Sequence, residues 1–340
     1  MPQRPRRVTL RDIADETGLS SAAVSYALRG LQVPVETQER VRAVADRLGY
    51  QADPIARALA SGRTDYVGVL CGSLEDIWQQ SIAAALGRGL LEASRHGLIV
   101  GASNDPDVEA ALAMQLVDKR VDALICLPVD PAAEHWAQIA ERTVLISIGD
   151  GLPGASTAAE VVFDNVAGVT DALRQLAEAG HRRIAVMTPG GVTTPDRPAE
   201  LVARQVADQL GLRITMHASP HDLDGARDVA LQALRGADRP TAFFCLADSM
   251  AYGVYAAARE LDLDVPTDVS VLGYDDRPVS RLLTPPLSSY RWPMDLLVSS
   301  VVERTVRAIE DGKHTRRKVL EPAAQPRGSI APPPRGRRKR

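Results

Sequence analysis

From Tyr66 onward, short apolar runs alternate with amphipathic helical stretches, and this alternation constrains the fold of most of the chain. Such alternation is typical of a parallel sheet that is covered by helices on both faces. The pattern runs through two successive series, which are separated by the segment at 161–165. Two doubly wound α/β halves predict two subdomains with a cleft between them. Ligands of such sheets bind beyond the carboxyl ends of the strands.

Strands and helices can be predicted for each of the two series. In the first series we expect strands at 66–70, 98–103, 123–127 and 144–148, with helices near 78–94, 108–119 and 132–141. In the second series we expect strands at 184–187, 213–217, 242–246 and 269–273, with helices near 166–179, 199–210, 224–235 and 249–261. No glycine-rich phosphate loop interrupts the two series, because the Gly-Gly pair at 190–191 is too short to form one.

The amino-terminal segment at 8–28 predicts two short helices joined by a tight turn. Thr9 begins the first helix with a Thr-x-x-Asp capping pattern, Gly18 suits the left-handed conformation that closes it, and Ser20 can cap the second helix. The inner face of the second helix carries Val24, Ala27 and Leu28. The opposite face carries Ser21, Ala22, Ser25, Tyr26 and Arg29. Such a pair is typical of proteins that place the second helix in the major groove of duplex DNA.

A third amphipathic helix at 35–48 supplies apolar side chains that complete a three-helix core. Residues 1–63 carry ten arginines and no lysine against seven acidic residues, a net charge of +3, whereas the whole chain carries −3. The head is therefore the part of the chain that suits phosphates. The arm with Arg4, Arg6 and Arg7 supplies most of this excess positive charge. The alternative interpretation is that the arm is an ordinary run of solvated charges.

A set of ordered motifs extends from Val8 to about residue 330: VTLRDIA, LSxxxVSxAL, LGY, ARAL, DN, GHRRIA, AD, VSVLGYDD and PPL. By this set the chain resembles the lactose-repressor (LacI) family of bacterial transcription regulators. The resemblance implies an all-α helix-turn-helix head and a two-lobed, periplasmic-binding-protein-like core. The implied domains are a head at 1–50, a hinge helix and linker at 51–64, a first core subdomain at 65–163 with about 292–321, and a second at 164–291 with about 322–330. The basic tail at 331–340 is expected to be disordered.

The resemblance also assigns DNA contacts to individual positions. Ser21, Ala22 and Tyr26 fall where the family touches base edges; an alanine offers only a methyl contact, whereas a tyrosine offers one hydrogen bond or a stack. Packing of the Tyr26 ring on the third helix is the alternative. The other predicted DNA-binding positions are Thr9, Ser20, Ser25, Arg29, Thr37, Ala56 and Leu59. Leu59 matches an apolar wedge that enters the minor groove, and an ordinary linker contact is its alternative.

A small carbohydrate-like or nucleoside-like effector in the cleft is a further implication of the resemblance. The positions that align with effector contacts are Trp78, Ser147, Arg197, Asp248, Asp275 and Trp292. Carboxylates and an arginine suit hydroxyl recognition, and an indole face suits the apolar side of a sugar or base. Arg197 precedes the usual arginine position, which Ala199 occupies, by two residues. Asp276 is the alternative to Asp275.

These features predict a cytoplasmic, homodimeric, ligand-responsive repressor of a palindromic operator, with no metal, cofactor or membrane partner. A solute-binding protein shares the two-lobed fold, but no apolar leader precedes the helix-turn-helix. No nucleophile with its base, metal-ligand cluster or cofactor loop favours an enzyme. The widely spaced Cys71, Cys126 and Cys245 predict buried hydrophobes, without a disulfide framework or zinc site. Because Ala199 and Ala247 replace polar residues of the family, a regulator without a small-molecule effector stays an alternative.

Overall fold

The computed structural model describes residues 8–51, 62–189, 198–220 and 222–334. The chain divides into two compact units, Met1–Thr64 and Asp65–Arg340. The described part of the first unit contains α1 (Leu10–Thr17), α2 (Ser21–Leu28) and α3 (Val35–Leu48). One small apolar core joins the three helices, and its buried members are Ile13, Ala14, Val24, Ala27, Val41 and Ala45. The three helices predicted from the sequence are confirmed.

Local hydrogen bonds set the ends of α1 and α2. Thr9 forms a capping box, because its hydroxyl accepts the Asp12 N–H while the Asp12 carboxylate accepts the Thr9 N–H at 2.7 Å. Gly18 closes α1 with φ +70°, a left-handed conformation that glycine adopts without steric cost. The Ser20 hydroxyl accepts the Ala23 N–H at 3.2 Å and thereby begins α2. The sequence predicted each of these caps.

The second unit is built on two parallel sheets, one in each lobe. In the larger sheet the described strands are β1 (Tyr66–Cys71), β2 (His96–Gly101), β3 (Ala123–Leu127), β4 (Val144–Gly149), β5 (Ala159–Phe163) and β11 (Lys318–Leu320), in the order β11-β5-β4-β3-β1-β2. In the smaller sheet they are β6 (Arg183–Pro189), β7 (Arg213–Ser219), β8 (Ala242–Cys245) and β9 (Ser270–Leu272), in the order β7-β6-β8-β9. The doubly wound parallel architecture predicted from the sequence is confirmed.

Helices cover both faces of each sheet. In the larger lobe, α4 (Ile77–Glu92) and α11 (Met294–Asp311) pack on one face, and α5 (Pro106–Asp118) and α6 (His135–Ala140) on the other. In the smaller lobe the pairs are α7 (Asn165–Glu178) with α8 (Pro198–Leu210), and α9 (Leu223–Arg235) with α10 (Asp248–Glu260). Each face therefore has its own apolar core, which leaves the strand ends free to form a site.

The chain crosses between the lobes more than once. It leaves the larger sheet after β5 and returns through α11 and β11, which pairs with β5. Two short strands accompany the return, β10 (Ser289–Arg291) and β12 (Ala323–Gln325), and they pair antiparallel. Neither this pair nor α11 was among the predicted elements. The sequence signals of β10 and β12 are weak because three-residue strands show no periodicity, whereas the 18 residues of α11 carry a helical pattern that the prediction missed.

Several predicted boundaries differ from the structure by one to three residues, and two of these differences have clear local backbone reasons. The second strand ends at Gly101 rather than 103, because Ser103 and Asn104 take φ values of +52° and +58°, which a strand does not tolerate. The helix predicted from 108 begins at Pro106, because the Asp105 carboxylate caps it and a proline at the first helical position loses no hydrogen bond.

The prediction of a disordered tail from 331 was wrong for its first residues. The Ala331 N–H donates to the Ser270 hydroxyl at 3.0 Å, and the Ala331 carbonyl lies 2.9 Å from His181 Nε2. His181 is buried, and burial lowers the pKa of its imidazole. The proline-rich segment cannot form a helix, but its backbone can still form hydrogen bonds with side chains such as those of Ser270 and His181. The residues from 335 onward lie outside the described part of the chain.

Cys71, Cys126 and Cys245 are all buried free thiols, as the sequence predicted. Burial raises the pKa of each of them, with Cys71 at about 12. Within the described ranges, no helix has both the length and the apolar character needed to cross a bilayer.

The close contact of α9 with α10 generates a stability prediction. A methyl group added at Gly253 in α10 would lie 2.5 Å from the Ala226 Cβ, so Gly253→Ala should lower the free energy of unfolding by about 1 to 3 kcal/mol. Gly87→Ala in α4 is the matched control, because its new methyl would lie 3.5 Å from Ile99 and should raise that free energy by up to about 1 kcal/mol. Urea unfolding of both variants measures the difference. Equal stabilisation by both would contradict the observed packing.

Candidate nucleic-acid interface and ligand cavity

The outer face of α2 is a polar surface that the head core does not use. Ser21, Ala22, Tyr26 and Arg29 are exposed and Ser25 is half-buried, whereas Val24 and Ala27 are buried. The predicted division of α2 into an inner and an outer face is confirmed. An exposed helix face of this kind fits the width of a major groove.

Tyr26 lies on this face with its ring toward Arg29. The ring is 40% exposed, and the Arg29 guanidinium carbon lies 5.3 Å from its centroid. Among the described head residues, the side chains that pack around the core do not include Tyr26. This position speaks against the alternative in which the ring packs on α3. Both side chains are available to an external partner.

The remaining predicted DNA-binding positions divide into three groups. Thr9 and Ser20 use their hydroxyl groups as helix caps. Thr37 is half-buried in the first turn of α3. Ala56 and Leu59 lie outside the described residues.

A cavity of about 230 Å³ lies between the two lobes of the second unit. The ends of β3, β4 and β5 contribute Leu127, Gly149 and Phe163, and the second lobe contributes Pro189 and Leu246. We call this space the interlobe cavity. It occupies the position at which doubly wound sheets bind their ligands, beyond the carboxyl ends of the strands.

Four aromatic rings form a continuous wall of the interlobe cavity. The Trp78 ring lies 5.1 Å from that of Phe163, Phe163 lies 4.5 Å from Trp292, and Trp292 lies 5.6 Å from Tyr274, centroid to centroid. All four residues line the cavity. In the described part of the chain, Trp78 Nε1 and the Tyr274 hydroxyl are buried and have no hydrogen-bond partner. Buried donors without partners are uncommon in proteins and are often satisfied by a bound molecule or water.

The structure brings together three of the six predicted effector residues: Trp78, Asp275 and Trp292 line the interlobe cavity. Asp275 has φ +134°, a conformation that side-chain-bearing residues rarely adopt. Residues held in such conformations cost about 1 to 3 kcal/mol and cluster at functional sites. The geometry thus selects Asp275 over Asp276, whose carboxylate is buried and paired with Arg291 and Arg327.

Ser147 and Asp248 do not line the cavity, in contrast to the prediction. Ser147 is fully buried inside the larger sheet, where β4 pairs with β3 and β5. Asp248 is the first residue of α10, and its carboxylate accepts hydrogen bonds from the Ser280 and Ser289 hydroxyls and from the Arg277 N–H. The chain itself therefore satisfies this carboxylate. Arg197 lies outside the described residues.

Several lining residues were not among the predicted contacts. They include Asp76, Gln79, Asn104, Asp150, Phe163, Asn165, Glu200 and Tyr274. The signal for half of them was present, because Phe163, Asp150, Asn165 and Tyr274 lie at the carboxyl end of a strand or within two residues of it, where the fold class places the site. Glu200 follows the segment at 190–197 and had no such signal.

Glu109 supports the cavity from behind although it does not line it. Its fully buried carboxylate accepts the Val129 N–H at 2.6 Å, and Val129 belongs to the cavity wall. Burial raises the pKa of Glu109 to about 7, and the Val129 and Asp130 N–H groups oppose that rise. His135 Nε2 lies 3.9 Å from the same carboxylate. The Glu109 carboxylate therefore fixes the backbone that follows β3.

The different surroundings of Asp248 and Asp275 generate a prediction. Asp248→Ala leaves two hydroxyl groups and one N–H without their acceptor, so it should lower the free energy of unfolding by about 3 kcal/mol or more. Asp275→Ala removes a carboxylate that lines a cavity and should change that free energy by less than about 1 kcal/mol. Denaturant unfolding of the two variants tests this. A larger loss for Asp275→Ala would contradict the assignment.

Comparisons with known proteins agree with this geometry. The family model for bacterial regulatory proteins of the lacI family matches residues 9–53, and the model for a periplasmic binding protein-like domain matches residues 173–330. Among solved structures, the lac repressor dimer bound to operator and an anti-inducer has a TM-score of 0.85 at 21% identity, over 96% of this chain and 100% of the repressor chain. This similarity confirms the fold.

Curated relatives align over most of this chain. The transcriptional regulator MalR of Streptomyces coelicolor is 32% identical over 314 residues, which cover 88% of this chain and 90% of MalR. Catabolite control protein A of Priestia megaterium is 28% identical over 294 residues, which cover 84% of this chain and 88% of that protein. The chain therefore belongs to the LacI family of bacterial transcription regulators.

Proposed function

We propose that this regulator is a homodimeric repressor whose affinity for a palindromic operator depends on a small effector in the interlobe cavity. The observation that carries the proposal is the cavity itself, which both lobes line at the ends of their strands. Similar proteins bind molecules of this class: a regulator from Arthrobacter was solved with lactose and one from Enterococcus faecium with ribose. A sugar-like or nucleoside-like effector fits the aromatic wall and the polar groups beside it.

The outer face of α2 would lie in the major groove. Ser21, Ala22 and Tyr26 would face base edges, and Arg29 with Ser25 would hold the backbone. Thr9, Ser20 and Thr37 would contact phosphates near the starts of their helices. Ala56 and Leu59 remain sequence predictions for a hinge that enters the minor groove.

The effector would act by changing how the lobes pack against each other. A ligand shifts such an equilibrium only through its different affinities for the two states, so effector and operator binding must affect each other equally. A regulator without an effector is the second candidate, which the replacement of polar family residues by Ala199 and Ala247 favours. The cavity and its unpartnered donors weigh against it. We place the protein in the cytoplasm, where its operator would be, and assign it no enzymatic activity.

The head geometry predicts how two substitutions differ in DNA binding. Tyr26→Ala should change the base preference at one position in each half-site, because Tyr26 would face a base edge, whereas Arg29→Ala should weaken binding to all sequences alike and reduce the salt dependence by about one counterion. Selection from a randomised duplex library, followed by binding at several salt concentrations, measures both.

Tyr26→Phe is the matched control for the phenolic hydroxyl, since it keeps the ring. The selected sites should be palindromes with half-sites about one helical turn apart. Binding of one chain to a single half-site, with no gain from a second, would contradict the dimeric proposal. An unchanged base preference of the Tyr26→Ala variant would indicate that Tyr26 has a structural role and does not contact a base edge.

The switch predicts reciprocal coupling between the cavity and the head. A ligand that raises the melting temperature should change operator affinity by some factor, and operator should change affinity for that ligand by the same factor. Asp275→Asn should weaken the ligand without changing operator affinity in its absence. Calorimetric titrations with and without operator measure the coupling. Ligand affinity that is indifferent to operator would contradict the switch.

A further inference from the structure

Among the described residues that line the interlobe cavity, every charged side chain is acidic. The described lining residues include four carboxylates and neither lysine nor arginine; the four are Asp76, Asp150, Glu200 and Asp275. These residues come from separate parts of the chain, before α4, after β4, in α8 and after β9. A sugar phosphate or another anion would meet a negative field here, and the described wall offers no guanidinium to neutralise it.

Asp275 is the lining carboxylate with the most unfavourable surroundings. Burial and the nearby carboxylates of Asp248 and Asp76 raise the pKa of Asp275 well above its usual value, although the Arg277 guanidinium and the Asp248 N–H oppose the rise. Arg277 is itself engaged, since its guanidinium donates to the Ser81 hydroxyl at 3.2 Å. The Tyr252 and Tyr274 phenols also lie within the field of Asp275, and both stay neutral. A cation in the cavity would stabilise the ionised form of this carboxylate.

The aromatic wall is suited to a positive charge as well. The faces of indole and phenol rings carry a negative potential that attracts ammonium groups, and indole does so best. Trp78, Trp292 and Tyr274 all line the cavity. Two buried donors of this wall, Trp78 Nε1 and the Tyr274 hydroxyl, have no acceptor in the described residues. The Tyr274 hydroxyl lies next to Gly168 in α7, which does not line the cavity, so the ring faces are the part of the wall that a ligand would contact.

We propose that the effector of this regulator is an organic cation, with a protonated amine held by Asp275 and Glu200 and a hydroxylated or heterocyclic body against the aromatic wall. The inference rests on the proposed function, because it concerns the ligand of the same cavity. The cavity should therefore prefer an amino sugar or amino nucleoside over the neutral and phosphorylated molecules of the same shape.

Binding of an amine would change the protonation of Asp275. Because its pKa is raised, the Asp275 carboxyl is more easily protonated in the empty cavity than an ordinary aspartate, and an incoming ammonium group favours loss of that proton. The amine therefore enters and a proton leaves, so the affinity should increase with pH for as long as the amine stays protonated. A neutral polyol has no such effect on the carboxyl and should bind without releasing a proton.

Matched ligand series test the proposal. Thermal shift and calorimetry would compare glucosamine with glucose and glucose 6-phosphate, the galactose and mannose equivalents, and 5′-amino-5′-deoxyadenosine with adenosine and its 5′-monophosphate. Within the series that binds, the amine should bind at least about ten-fold tighter than its neutral parent, and the phosphate should not bind. Calorimetry in buffers of different ionisation enthalpy should show proton release with the amine only.

Two variants test which carboxylates hold the amine. Asp275→Asn and Glu200→Gln should each reduce the preference for the amine over its neutral parent by about ten-fold, whatever their effect on the affinity of the parent itself. Asp262→Asn is the matched control, because Asp262 is an exposed aspartate that also has a positive φ, of +52°, and does not line the cavity. The control should keep the full preference. Glu200→Gln tests the proposal independently of any effect on the strained backbone at Asp275.

The possible results distinguish failure of the cationic effector from failure of the proposed effector function. Equal or tighter binding of a neutral parent, or binding of a phosphate, would overturn the cationic effector and leave the proposed switch intact. A preference for the amine that survives both substitutions would overturn the assignment to these carboxylates. Failure of every series to bind, in protein that still binds operator, would overturn the proposed effector function and this inference with it.

Discussion

The buried carboxylate of Asp276 holds together the part of the second unit on which the site depends. Arg291 in β10 and Arg327 beyond β12 both donate to it, with the Arg291 Nε at 2.7 Å. Burial alone would raise the pKa of Asp276, but the hydrogen bonds from these two arginines lower it below its usual value. A buried charge is costly unless such partners compensate it, and loss of one partner is strongly destabilising. The antiparallel pair of β10 and β12, which accompanies the return of the chain between the lobes, is therefore fixed by an ion pair as well as by its backbone.

Three aspartates near this crossing show how surroundings divide similar residues between structure and binding. Asp248 is saturated by two hydroxyl groups and a backbone N–H, and Asp276 is saturated by arginines. Asp275, which is adjacent to Asp276 in the chain, lines the interlobe cavity in a strained backbone conformation. The two satisfied neighbours fix the loop so rigidly that it can hold the strain of the third. Asp275 thus has fewer partners within the chain than its two neighbours, and we propose that an external ligand binds it.

The fold was predictable from sequence to a large extent, and the reasons are physical. The alternation of apolar runs with helical stretches is a long-range repeated signal, and the caps at Thr9, Gly18 and Ser20 depend only on neighbouring residues. The cavity was predictable only in part. Trp78, Asp275 and Trp292 follow from the family resemblance, but the same reasoning placed Ser147 and Asp248 beside them. Whether a side chain at a strand end faces a cavity or its own chain depends on partners such as Ser280 and Ser289, which are more than 30 residues distant from Asp248 in sequence. Local patterns carry no information about such partners.

The aromatic wall links the site to the proposed switch. Trp78 and Phe163 belong to the core of the larger lobe, Tyr274 packs in the core of the smaller lobe, and Trp292 follows β10 at the crossing between them. The contacts from Trp78 to Phe163, from Phe163 to Trp292 and from Trp292 to Tyr274 thus run from one lobe to the other through the cavity. Packed aromatic side chains change between discrete arrangements and do not deform continuously. We propose that a molecule seated against these rings favours one packing of the lobes over another, which is the differential affinity that a ligand-controlled regulator requires.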